Sequence, residues 1–179
     1  TYYTMAHGQL VLMILNTNLE DPDCEEMDNQ IAMIKNVSDT IQEASHLVVL
    51  THHVIWGDSD AGIQEINMWD RANGNKSHWL SECKPNTKFH QTLYQHFTAV
   101  QDKGIQVVFI AGDYGQREKE FQHLSEKGIW MIASGIAGTY TEHNGVPLPP
   151  DHILELKWDK LSRDLTWEFV DLDSLTVVW

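Results

Sequence analysis

Two histidines and an aspartate are the residues of this chain best suited to chemistry. His52 and His53 follow the run LVVLT, and Asp113 follows the run IQVVFIAG. Imidazole nitrogens and carboxylate oxygens are ligands for divalent cations. Both motifs sit where an apolar, β-branched run ends abruptly in polar residues. Runs of that kind read as buried strands whose C-terminal ends deliver side chains to a site.

Each of these residues also has a plainer use. A His-His pair at a strand end can serve as hydrogen-bonded scaffolding. Gly112-Asp113 can be a strand-to-helix turn, with Asp113 capping a helix that begins near Gln116. Tyr114 reads as packing and not as a catalytic acid. Asp58 and Asp60 lie close enough in sequence to reach a cation but read as a solvated loop. His90 and His96 are six apart on one helix, not at the three- or four-residue spacing that brings ligands together, and read as surface or interface residues. His7 belongs to a turn, while His78, His143 and His152 sit in loops or at strand starts. No Gly-Lys-Ser/Thr phosphate loop, Gly-x-Ser-x-Gly elbow or Cys-x-x-Cys pair is present.

The elements that must position these residues follow from periodicity. His7-Gly8 is a turn signal between two β-type runs, which predicts a hairpin leading into a buried strand. Met27, Ile31, Ile34, Val37, Ile41 and Ala44 recur at three- and four-residue steps and predict a helix over residues 27–45. Residues 47–51 form a continuous apolar strand. Residues 57–86 make a long loop insertion carrying Trp69 and Trp79, and loops of that length are commonly lids or disordered. Thr87 is expected to cap a second amphipathic helix that stops at Lys103-Gly104. A strand over 105–111, a short charged helix over 116–127 and a strand over 129–133 follow. Residues 152–158, 165–170 and 175–179 alternate as an antiparallel finish.

The chain has 179 residues and 42% hydrophobic content, which suits a single packed domain. The formal net charge of −14 argues against nucleic acid or an anionic membrane as a partner. A phosphorylated small molecule would also be repelled at long range unless bound cations changed the local field. No apolar run is long enough to span a bilayer. Cys24 and Cys83 are either one disulfide of an oxidising compartment or two free thiols, and a secreted or periplasmic setting is expected over a cytoplasmic one. Asn36-Val-Ser38 and Asn75-Lys-Ser77 match glycosylation acceptors, the first inside a predicted helix. The chain starts at Thr1, and it reads as a processed product or a fragment.

The order of elements, together with Thr51-His52-His53, Gly112-Asp113-Tyr114-Gly115, Ser134-Gly135 and Gln30 early in the long helix, resembles the C-terminal half of the calcineurin-like metallophosphoesterases. The resemblance covers nearly the whole chain. It implies an α/β fold: a layered mixed β-sheet, or half-sandwich, flanked by helices. It implies metal-dependent phosphoester hydrolysis by the complete protein, with His52 and Asp113 as metal ligands and His53 as a catalytic contact to the phosphate or to a ligand. The cofactor would be a pair of divalent cations about 3.5–4 Å apart.

Two departures accompany it. The family's N-terminal motifs, Asp-x-His, Gly-Asp-x-x-Asp and Gly-Asn-His, do not occur here, and the Gly-His-x-His position reads Gly-Asp-Tyr-Gly. The chain would therefore be the C-terminal part of a larger domain. Its partner would be a missing N-terminal segment, a companion chain, or a second copy closing exposed apolar sheet surface by dimerisation. The isolated chain is expected to be inactive or nearly so. The alternative is a catalytically degenerate scaffold that binds through the loop of residues 57–86. An unrelated doubly wound sheet would also share this order of elements, and antiparallel final strands would argue against it.

Overall fold

Odd-numbered residues of two apolar runs, Leu47 and Val49 in one and Val107 and Phe109 in the other, point to one side of a sheet. Even-numbered Val48 and Val108 point to the other, as the two-residue period of a strand requires. Both sides must therefore be covered. The computed structural model of the chain, which describes residues 2–17, 24–58, 80, 83–85, 87–114, 118–136 and 141–175, shows how.

Strand β1 (Tyr3–His7) turns at His7-Gly8 into β2 (Leu10–Ile14), with Gly8 at φ 61°, a conformation that suits glycine. Helix α1 (Cys24–Thr40) leads to β3 (His46–Thr51) and a 3-10 turn at Ile55–Asp58. Helices α2 (Phe89–Thr92) and α3 (Tyr94–Asp102) precede β4 (Gln106–Ala111). Strands β5 (Glu120–Leu124) and β6 (Trp130–Ser134) follow. The small pair β7 (Glu142–His143) and β8 (Val146–Pro147) comes next. The long hairpin β9 (His152–Asp159) and β10 (Asp164–Asp171) and a 3-10 turn at Leu172–Ser174 end the described chain.

The main sheet has six strands in the order β1-β2-β3-β4-β6-β5. Its centre, β2 to β3 to β4 to β6, is parallel, and the two edge strands are antiparallel to their neighbours. The parallel strands progress in one direction, so right-handed crossovers place their helices on the same face. Accordingly Met27 and Ile34 of α1, with Phe97 and Val100 of α3, share one buried cluster with Met13, Val49, Phe109 and Met131 of the sheet. The opposite face, Val48, Val108 and Ile132, is covered by the β9–β10 hairpin through Leu154, Leu165, Trp167 and Phe169. The expectation of a layered mixed sheet with helices is met at that level. The antiparallel hairpin lies off the main sheet, which argues against a doubly wound fold.

Four local expectations are corrected. In place of the charged helix expected over 116–127, the described residues 118–127 hold β5, an edge strand in which only Phe121 is buried, with its backbone paired to β6. Glu120, Gln122 and Leu124 are exposed, which left little apolar pattern to read. The described residues 118–127 hold no helix for Asp113 to cap, so that alternative reading of Asp113 finds no support there. Thr87 does not cap α2. Lys88 is the N-cap and makes no side-chain cap bond, and the second helix is broken in two at Leu93. Helix α1 ends five residues earlier than its apolar stripe suggests: Glu43 takes a positive φ of 58°, incompatible with a continued helix, and the ammonium of Lys103 meets the freed carbonyls of Ser38 at 2.6 Å and Asp39 at 3.2 Å. Most of the loop at residues 57–86, and residues 176–179 of the expected last strand, lie outside the described residues.

Cys24 and Cys83 form a disulfide, which settles the two alternatives open in the sequence. It ties the start of α1 to the segment before α2. The Asn36 glycosylation pattern lies within α1, with Ser38 buried against the fold. Asn75 is outside the described residues.

Candidate metal centre

Equal register does most of the work of assembling the candidate residues. In the parallel pair β3–β4, Thr51 lies opposite Ala111, so the residues just beyond each strand end emerge side by side. The carbonyl of His52 accepts from the amides of Gly112 (3.1 Å) and Asp113 (2.8 Å), and the Thr51 hydroxyl donates to the carbonyl of His53 at 2.7 Å. These bonds continue the ladder for a further step and hold the two loops together.

The side chains of His52, His53 and Asp113 meet there, each offering one ligand atom, with all three atoms within 4.8 Å of one another. All three residues singled out in the sequence are thus brought to one place, at the C-terminal edge of the parallel strands. His52 is exposed, while His53 and Asp113 are buried, at 9% and 8% exposure. Nε2 of His53 lies 3.9 Å from Oδ2 of Asp113. That is too long for a hydrogen bond. Two ligands each about 2.0–2.2 Å from one shared ion lie about 3–4 Å apart, so the separation suits a common cation.

The imidazole of His53 is prepared for such a role. Its Nδ1 faces the carbonyl oxygen of Thr17 at 2.7 Å, an acceptor only, so Nδ1 carries the proton and Nε2 presents its lone pair toward Asp113. A histidine whose second nitrogen donates to a carbonyl is the usual arrangement at metal sites. Burial pushes the His53 pKa below its ordinary value. The Thr17 carbonyl works against that shift, nearby His52 adds to it, and Asp113 opposes it. The net direction favours the neutral imidazole, the form that binds metal.

Thr17 and Gln30 also contribute to the site, although neither was singled out for that role from sequence. The Thr17 hydroxyl accepts from the backbone amides of His52 (3.2 Å) and His53 (3.0 Å). The carboxamide of fully buried Gln30 pairs with the backbone of Asn16, accepting at 2.8 Å and donating at 3.1 Å. One signal was available for Gln30. It sits three residues after Met27 and four before Ile34, on the buried stripe of α1, where a polar side chain needs a partner.

No other histidine or carboxylate candidate joins that group among the described residues. Tyr114 is fully buried and its hydroxyl donates to Glu118 at 2.9 Å, in keeping with packing. Gly135 supports it: a Cβ there would fall 2.2 Å from the Tyr114 carbonyl oxygen and 2.6 Å from that of Gly112, so only glycine permits this contact. His96 approaches Ser38 of α1 at 3.4 Å, and His7 packs edge-on to Trp158. Lys119, with 2% exposure, makes an ion pair with Asp151 at 2.7 Å and links the end of the Asp113 loop to the hairpin. Asp60 and His78 are outside the described residues.

No helix among the described residues is long and apolar enough to cross a membrane. No family model, curated protein or solved structure matches the chain.

Proposed function

We propose that this chain is the C-terminal part of a metal-dependent phosphoester hydrolase, with His53, Asp113 and His52 holding a divalent cation. The observation that carries this reading is the buried pair His53–Asp113, whose facing atoms are 3.9 Å apart while Nδ1 of His53 is committed to Thr17. Two imidazoles and a carboxylate are a sufficient protein ligand set for one catalytic cation, since such sites keep a further position for water or substrate. A cation there supplies charge stabilisation for a phosphoryl oxygen and a water of lowered pKa. Asp113 contributes the negative charge that holds the cation in place. His53, fixed in one tautomer, contributes a neutral nitrogen. His52, at the solvent side, completes the set or contacts the phosphate.

A second cation needs further ligands, and in this proposal they come from a missing N-terminal segment or a companion chain. The half-buried apolar residues on the hairpin side of the sheet are the surface such a segment would cover. The disulfide supports a secreted or periplasmic setting. In the rival reading, a binding scaffold, the Gly-Asp-Tyr-Gly sequence is a relic of a lost site.

Native mass spectrometry of the protein purified without added chelator, then supplied with Zn²⁺ or Mn²⁺, tests this. The expected result is a bound cation that is lost on chelation or in Asp113→Asn. Hydrolysis of a nitrophenyl phosphate is expected to accompany a metal-loaded companion complex. A protein that takes up neither cation overturns the proposal in favour of the binding scaffold.

A further inference from the structure

We propose that Gln30 is a positioning residue for this site, acting through Asn16 and Thr17 on the orientation and tautomer of His53. The inference rests on the cation reading above and adds the device that presents the ligand.

The argument starts from the cost of burying an amide. Gln30 is 0% exposed on the packed face of α1, where Met27 and Ile34 are its neighbours along the stripe. A side-chain amide removed from water is unfavourable unless both its dipoles are met. Both are met by one residue: the Asn16 amide donates to Oε1 at 2.8 Å, and Nε2 donates to the Asn16 carbonyl at 3.1 Å. Gln30 thus replaces a strand partner for the chain just past the end of β2. The Asn16 side chain is held as well, donating from Nδ2 to Glu26 of α1 at 3.0 Å. The helix thereby fixes Asn16 from two sides.

The next residue transmits that constraint. Thr17 is 3% exposed, and both of its oxygens are used by the histidine pair. Oγ1 accepts from the amides of His52 and His53, and the carbonyl takes the proton of His53 Nδ1. A shift of Asn16 moves the Thr17 carbonyl. Once that carbonyl moves, nothing else described holds the proton on Nδ1, and the nitrogen facing Asp113 can become a donor in place of a ligand. The first turns of α1, anchored by Cys24 to Cys83, therefore set which nitrogen of His53 is offered to the site.

The test uses the full chain and the variants Gln30→Met, Thr17→Val and Thr17→Ser. The tautomer of His53 is read by ¹⁵N NMR of the imidazoles without metal, and affinity is read by calorimetric titration with Zn²⁺. The wild-type protein is expected to show the Nδ1-protonated form. Gln30→Met and Thr17→Val are expected to mix the tautomers and weaken Zn²⁺ binding about 10- to 100-fold, the usual effect of removing a partner of a metal-bound histidine. Thr17→Ser, which keeps the hydroxyl, should restore both.

A folded Gln30→Met protein with unchanged tautomer and affinity overturns the proposal. Should Gln30→Met not fold, Gln30→Glu, which keeps the acceptor for the Asn16 amide and loses the donor to its carbonyl, decides in the same way. A wild-type protein that binds no Zn²⁺ would defeat the zinc-binding arm, and the NMR readout alone would then decide whether Gln30 controls the tautomer.

Discussion

On the helical side of the sheet, Phe109 is ringed by Trp56, Phe89 and Phe97 at 5.9, 5.5 and 4.7 Å, and all four side chains are almost fully buried. On the hairpin side, Val48, Val108 and Ile132 are the residues closed off among those described. Around them Leu10, Leu12, Leu50, Ile110, Trp130, Leu154 and Trp167 pack with part of their surface still in water, and Leu156 is 38% exposed. The same strands supply both faces, so the difference lies in what covers them. Helices joined by the crossovers of a parallel sheet lie flat on their face and close it. A two-stranded hairpin covers less of a six-stranded sheet, and its own inner face is left half-wet. The helical side is a finished core, and the hairpin side has room for additional apolar cover.

Large-to-small changes should therefore separate the two sides. Phe109→Ala removes a ring from a closed aromatic cluster and is expected to destabilise the fold by about 3–5 kcal/mol, measured by urea unfolding. Trp167→Ala removes a larger ring, yet the expected loss is only about 1–2 kcal/mol, because part of that surface is already hydrated. Trp167 meets Trp130 at 5.0 Å and donates to Gln122 at 3.1 Å, within the half-buried fringe of the hairpin side. Equal losses at the two positions would mean that the hairpin side is as well packed as the helical side, and the case for a covering segment would weaken.

The disulfide lies on the finished side and has an effect between these two. It spans 59 residues of sequence, and the chain-entropy account assigns a closed loop of that size roughly 4 kcal/mol, with measured values typically about 2–4. The paired change Cys24→Ser with Cys83→Ser is expected to fall in that range. Combined with Phe109→Ala, it measures any coupling through the cluster that Cys83 packs against, as a departure from additivity. A loss below about 1 kcal/mol would show that the Asp28–Lys84 ion pair at 2.6 Å and the packing of Cys83 already hold this corner.

The same contrast explains what could be read from the sequence. Central parallel strands are buried on both faces, so residues 47–50 and 107–111 appear as unbroken apolar runs, and their polar ends marked His52, His53 and Asp113. The edge strand β5 buries one residue, Phe121, and takes its backbone partners from β6. A strand defined by a distant ladder and not by its own pattern is illegible in isolation, which is why residues 116–127 resembled a charged helix. The contribution of Thr17 and Gln30 was hidden for a related reason. It runs largely through backbone atoms of Asn16 and Thr17, with one hydroxyl of a type common in any loop, and only the buried position of Gln30 on α1 hinted at it.

The smallest expected effect is in pH. Burial lowers the pKa of both His46 and His53 from 6.5. At His46 this is opposed by Asp164 of the hairpin, and at His53 first by the Thr17 carbonyl. Just below pH 6.5 the unfolded chain therefore holds protons that the folded chain rejects. Stability is fully present above that value and is lost as the pH falls toward the lower folded pKa values. In metal-free buffer, His53→Gln and His46→Gln should each flatten this slope, as read from urea melts on either side of pH 6.5. A bound cation discriminates between them. It competes with the proton at His53 but not at His46, which stands at the opposite end of β3 from the site, so adding Zn²⁺ should steepen the slope in wild-type protein and in His46→Gln, and leave His53→Gln nearly unchanged. Equal steepening in both variants would place the cation elsewhere on this acidic chain.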